Sequence, residues 1–184
     1  MTRQGRILSG LAIAALLSLW DGELQATHAP HPPTDHSTSC QTLAHFSPHG
    51  SVANAIVGVL RDARQRVRVA LYGLTAPPLV EALIKAHRRG VDVQVKLDRM
   101  QSQGKSQAEA VRALRAAGLS VQVSEFTRLL HDKFAVVDGR LILTGSYNWT
   151  GGAETSHREN LLILDCSDLA RTFEAEWELI EIAR

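Results

Sequence analysis

After Leu43 the hydrophobic pattern of this 184-residue chain changes period repeatedly, and that alternation restricts the fold more than any other feature. Val52 to Arg64 sets Ile56, Val57, Leu60 and Ala63 on one helical face, and Arg66 to Tyr72 then alternates with the two-residue period of a strand. Pro77 and Pro78 open a helix that stops at Gly90 after a basic turn of Lys85, His87, Arg88 and Arg89. Val91 to Asp98 reads as a strand, Gln107 to Gly118 as a helix stopped by glycine, and Leu119 to Val123 as another strand. Two short strands flank Asp138-Gly139, a dipeptide suited to a tight hairpin, and a strand from Glu159 to Asp165 precedes a last helix from Ser167. The alternation predicts an α/β fold, one mixed sheet sandwiched between helices, in a single domain spanning residues 43–184. The length leaves room for one such domain plus a tail.

The tail reads differently. Arg3 and Arg6 precede Ile7 to Trp20, a run of 14 residues broken only by Ser9, Gly10 and Ser18. This matches the charged and apolar regions of a secretory leader. It is short for a membrane span, which takes about 20 apolar residues. The pattern predicts a signal peptide over residues 1–26, cleaved after Ala26, and a periplasmic or secreted mature protein without a transmembrane segment. Residues 27–42 form a polar, Pro-rich linker with no periodicity to bury. Its His28, His31 and His36 are read as solvated, because Pro30, Pro32 and Pro33 prevent the helical spacing that would bring them together. Cys40 and Cys166 are the chain's two cysteines, and an even count in an exported protein predicts a disulfide between them.

Chemistry concentrates between His131 and Asn160. Residues i and i+2 of a strand share a face, so His131 and Lys133 project together, pairing a nucleophile or acid with a cation. Gly145, Ser146 and Asn148 end the adjoining strand with a residue that lets an anion come close and two small polar side chains. Glu159 begins another strand, where its carboxylate could fix the tautomer of His131. Trp149, Phe173 and Trp177 read as core, the last two being four apart on an amphipathic helix.

The H-x-K-x-x-x-x-D pattern at His131, Lys133 and Asp138, followed by G-S-x-N at Gly145, Ser146 and Asn148, resembles the signature of the phospholipase D superfamily. A single copy in a short, leader-bearing chain is most similar to the bacterial Nuc-type endonucleases. The likeness runs from about Phe46 to the last helix and includes Leu71 to Leu83 and Ala153 to Asn160. It implies an α-β-α sandwich and a metal-independent phosphodiesterase. It also implies His131 as nucleophile or acid, Lys133 and Asn148 on the phosphate oxygens, Ser146 in support, Glu159 orienting His131, and Asp138 as a structural residue. Phosphoryl transfer needs clamped oxygens and groups on opposite sides of phosphorus, which these residue types supply.

With Lys and Arg at 20 against 19 acidic residues, the chain has no global field to hold a polyanion, so phosphate binding must be local. Lys85, Arg88 and Arg89 are equally readable as a phosphate track and as a solvated helix end. Neither metal-ligand spacing nor a Cys-x-x-Cys pair is evident, so no cofactor and no metal are expected. The expected function is a sequence-nonspecific endonuclease on DNA or RNA, working through a phosphohistidine. The alternatives are a phospholipase D-type lipid hydrolase and a silent module that binds anions or nucleic acid. One H-x-K copy cannot supply both a nucleophile and an opposed acid, which predicts a homodimer with a composite site.

Overall fold

The computed structural model describes residues 40–49, 51–125 and 128–183. The expected leader, and the linker up to residue 39, lie outside them. In chain order the elements are β1 (Gln41–Ser47), α1 (Val52–Asp62), β2 (Arg66–Leu71), α2 (Pro77–Arg88), β3 (Asp92–Leu97), α3 (Arg99–Gln103), α4 (Lys105–Ala116), β4 (Ser120–Val123), β5 (Lys133–Val137), β6 (Leu141–Gly145), α5 (Gly151–Thr155), β7 (Glu159–Asp165) and α6 (Ser167–Leu179). Seven strands form one mixed sheet in the order β1-β7-β6-β5-β2-β3-β4. β2, β3 and β4 run parallel, joined through α2 and through α3 and α4, whereas β5, β6, β7 and β1 are antiparallel neighbours. The expected α/β sandwich is present.

Strand periodicity divides the core in two. Val67, Val69 and Leu71 of β2 and Ala135 and Val137 of β5 join the apolar faces of α1, α2 and α4, while Ala70, Phe134, Val136 and Ile142 face α6. Burial on both faces is why β5 reads as an unbroken apolar run. On α6, Ala170, Phe173 and Trp177 turn toward the sheet; the Trp177 indole N–H donates to the Val69 carbonyl at 2.9 Å, and Phe173 meets Phe134 edge to face at 5.1 Å. Lys96 is 4% exposed, and its ammonium donates to the carbonyls of Trp177 (2.8 Å) and Ile180 (3.1 Å) while lying 4.0 Å over the Trp177 ring. The Trp177 carbonyl also accepts a long bond from Ile180 N–H (3.4 Å), so the ammonium completes the capping of the end of α6. Burial holds this ammonium below the ordinary lysine value.

Three elements are absent from the sequence reading: β1, α3 and α5. β1 takes in Gln41 and Thr42, which that reading gave to the linker, and it carries no strand signature. Leu43 and Phe46 are three apart, fall on opposite faces, and are 63% and 61% exposed. Backbone pairing to β7 and the Cys40–Cys166 disulfide, present as expected, hold this edge strand instead. Among the described residues no helix is long and apolar enough to cross a membrane.

Candidate active site

β1, β2, β3, β4 and β6 end, and β5 and β7 begin, at one end of the sheet, so loops from seven strands meet there. His131 lies two residues before β5 in this cluster and is exposed. Its ring packs on Tyr72, just beyond β2, with centroids 4.7 Å apart and planes tilted by 59°. The backbone locks the pair in register, because the Tyr72 N–H donates to the Asp132 carbonyl at 2.8 Å. The Lys133 ammonium donates to the His131 carbonyl at 2.6 Å and lies 5.3 Å from the Tyr72 ring centre. Burial lowers its proton affinity, and the Asp132 and Glu159 carboxylates restore part of it. Asp132 itself is raised by burial and by Glu176.

Phe134 pairs with Thr144, so Lys133 and Gly145 are the next positions out on β5 and β6. A Cβ on Gly145 (φ +154°) would sit 2.2 Å from the Asn160 carbonyl oxygen, which accounts for the glycine. Ser146 and Asn160 clasp each other across β6 and β7: the Asn160 N–H donates to Ser146 Oγ at 3.0 Å, and the Ser146 N–H to Asn160 Oδ1 at 3.4 Å. The Ser146 hydroxyl proton stays available to an incoming acceptor. Two residues on, Asn148 is fixed between backbone bonds. Trp149 N–H donates to the Gly73 carbonyl at 2.9 Å, and Thr150 N–H donates to the Asn148 carbonyl at 2.8 Å. Its Oδ1 is buried without a hydrogen-bond partner among the described residues. An amide oxygen accepts, so a donor that reaches it would recover the cost of that unsatisfied burial.

Glu159 stands at the same end, but its carboxylate faces His157, with Oε1 3.6 Å from Nδ1, rather than His131. The cause is local: His157 stands in the bend after α5, two residues before Glu159 opens β7. Ser47 Oγ donates to the His157 carbonyl at 3.1 Å and steadies that segment. Asp138 lies at the far end of β5. It adopts φ +55° beside Gly139 at +64°, the backbone of a type I′ hairpin. Its carboxylate accepts from the N–H groups of Arg64 (2.9 Å), Gln65 (2.7 Å) and Arg66 (3.0 Å), pinning the β5–β6 hairpin to the start of β2. Lys85, Arg88 and Arg89 also sit away from the site, at the opposite end of the sheet, because α2 runs back from the Tyr72 loop. Lys85 pairs with Glu81 at 3.6 Å, and Arg89 donates to the Leu60 carbonyl at 2.8 Å, so these cations form no track leading from His131.

The sequence reading missed the polar layer behind Tyr72. Gln101 Nε2 donates to the Tyr72 hydroxyl at 2.7 Å. Gln107, 3% exposed, accepts from Leu74 N–H at 2.8 Å and donates to the Tyr72 carbonyl at 3.3 Å. Asp98, 2% exposed, caps α3 through Gln101 N–H (2.9 Å) and accepts from Leu130 N–H at 3.2 Å. Among the described residues no group of three or more His, Cys, Asp or Glu side chains is placed to hold a metal ion.

The sequence profile described as "Cardiolipin synthase, PLD-like domain" matches residues 56–180. Over 134 residues the chain is 35% identical to the mitochondrial cardiolipin hydrolase of Xenopus laevis, a match covering 71% of this chain and 62% of that protein. Over 160 residues it is 26% identical to a phospholipase D of Rickettsia bellii, covering 84% and 79%. The crystal structure of Nuc from Salmonella typhimurium, a phospholipase D family member, superposes with a TM-score of 0.74 at 28% identity, covering 79% of this chain and 99% of that one.

Proposed function

The chain belongs to the phospholipase D-like family, and from that premise we propose that it is a metal-independent phosphodiesterase that cleaves nucleic-acid strands through a phosphohistidine on His131. The observation that carries this reading is the exposed His131 imidazole beside the Lys133 ammonium, at the sheet end where β6 leads into Ser146 and Asn148. In the first step a ring nitrogen of His131 bonds to phosphorus and the P–O bond to the leaving alcohol breaks, the alkoxide taking a proton from an opposed imidazolium. In the second, water attacks phosphorus, gives its proton to that imidazole, and the P–N bond breaks. Lys133 and the Asn148 amide hold the non-bridging oxygens, Ser146 donates from the side, and Glu159 acts on Lys133 and His157. The opposed imidazole comes from the His131 of a second copy, since the H-x-K motif occurs once. Export, supported by residues 1–26, would put the enzyme in the periplasm or outside the cell.

Nucleic acid is favoured by exposed Arg128 and Arg158, which lie on segments entering and leaving the site and suit phosphates flanking the scissile one. A phospholipid reading has its own support: Met100 and Leu129, on the segments that carry Gln101 and His131, are 56% and 60% exposed. Purified protein in EDTA is offered plasmid DNA, single-stranded DNA, RNA and cardiolipin vesicles side by side. Nicking or degradation of nucleic acid, lost in His131→Ala, is the expected result. Turnover of cardiolipin alone would transfer the reading to lipid, and no hydrolysis of any of them would overturn it.

A further inference from the structure

Tyr72 makes a contact with His131 that none of the motif residues provides, and it belongs to a polar bracket built from α3 and the first turn of α4. Its ring packs at 4.7 Å on the imidazole, its hydroxyl is held by Gln101 at 2.7 Å, and its carbonyl by the buried Gln107. The same short helix reaches the other flank of the histidine. Its N-cap, Asp98, binds Gln101 N–H through Oδ1 and Leu130 N–H through Oδ2, and Leu130 directly precedes His131. One five-residue helix therefore fixes both the aromatic surface under the imidazole and the backbone from which the imidazole projects. We infer that Tyr72, clasped by Gln101, is a positioning residue that holds the His131 ring at the angle needed for attack on phosphorus.

The physical case rests on exposure. His131 is open to solvent, and a surface histidine ring turns about χ1 and χ2 unless something restrains it. An edge-tilted aromatic contact restrains the ring, and the tether from Gln101 keeps Tyr72 from turning with it. The bracket acts through the imidazole and is assigned no phosphate contact, so its loss should lower turnover more than substrate binding. Near-attack geometry is steep enough that a displacement of about 1 Å costs on the order of a hundredfold in rate.

The inference rests on the phosphodiesterase reading for its kinetic arm only. With bis(p-nitrophenyl) phosphate as probe, Tyr72→Leu should lower kcat roughly a hundredfold with KM within about twofold of wild type. Tyr72→Phe and Gln101→Leu should each cost roughly tenfold, and the double variant no more than either alone, because both cut the same bond. Gln103→Ala, an exposed change on the same helix, should leave turnover unchanged. Proton NMR gives a readout that needs no activity. The His131 ring resonances should carry a ring-current shift that disappears in Tyr72→Leu and broadens alike in Tyr72→Phe and Gln101→Leu. Melting curves identify any variant that fails to fold, and the phenylalanine variant then decides. Unaltered His131 resonances in a folded Tyr72→Leu protein, or additive losses in the double variant, would overturn the inference. An inactive wild type with the shift intact would overturn the phosphodiesterase reading and leave the positioning role standing.

Discussion

Burial holds the Lys133 ammonium below the ordinary lysine value, and Asp132 and Glu159 recover only part of that loss. The unfolded chain binds this proton more tightly, so the lysine costs stability at neutral pH, and the cost fades as pH rises through the folded and toward the unfolded value. In the proposed reaction the same shift sets an alkaline limit: the phosphate clamp should lose its charge below the ordinary lysine value of about 10.4. A profile of kcat/KM from pH 7 to 11 should fall on that side, and in Lys133→Arg, which stays charged, the fall should move to higher pH while the maximal rate drops because the fork geometry differs. A profile unchanged by the substitution would exclude Lys133 from the clamp. His131, Lys133, Ser146 and Asn148 were legible in the sequence through the spacing and order that carry the family resemblance, since strand periodicity by itself reads them as a solvated edge and an ordinary turn. Gln101, Gln107 and Asp98 were not. A polar residue on an amphipathic helix reads as solvent-facing, and nothing local distinguishes Gln107, at 3% exposed, from the exposed Gln103. The partner of Glu159 was illegible for a related reason: sequence distance to His131 says nothing of which imidazole the carboxylate turns toward.

Two elements can be tested by what holds their ends. Asp138 ties the β5–β6 hairpin to the start of β2 through three backbone N–H groups and occupies a left-handed conformation that aspartate tolerates better than alanine. Asp138→Ala should destabilise the protein by about 2–4 kcal/mol in denaturant titration, with kcat per folded molecule unchanged, because the hairpin turn is at the far end from His131. Asp138→Asn keeps the conformation and should cost less. Gly145→Ala is the complementary case at the site end. Its Cβ would press on the Asn160 carbonyl, and relief must come from moving β6 against β7, so stability and turnover should fall together, the former by about 2–4 kcal/mol. A variant of wild-type stability would mean that the strands part there without cost. The strands and helices with clean periods were readable throughout, including the Gly-stopped α2 and α4. β1, α3 and α5 escaped because their residues are chosen by what they dock on. β1 exists through pairing with β7, α3 is one turn and a half that Asp98 caps, and α5 is a short turn capped by Thr150.

At the scale of the whole molecule, the composite-site reading predicts a particular dose response. When wild-type and His131→Ala chains are co-refolded at wild-type fraction f, activity should fall as the square of f, since a hybrid lacks one of two imidazoles; a linear fall would assign the complete site to one chain. The Cys40–Cys166 bond has its own test. Its partners are 126 residues apart, and the chain-entropy account gives a loop of that length about 4–5 kcal/mol. Cys40→Ser should lower stability by up to that amount in non-reducing denaturant titration, and dithiothreitol should change the variant no further. The register behind that bond also sets a timetable. Among the described residues β1 is the first strand and β7 the last, yet β1 pairs with no strand but β7. A ribosome adding 5–20 residues per second needs roughly 6–25 s to lay down the 126 residues between the two cysteines, and throughout that interval the leading strand has nothing to pair with. The described sheet therefore closes only once both of its outer partners have been synthesised.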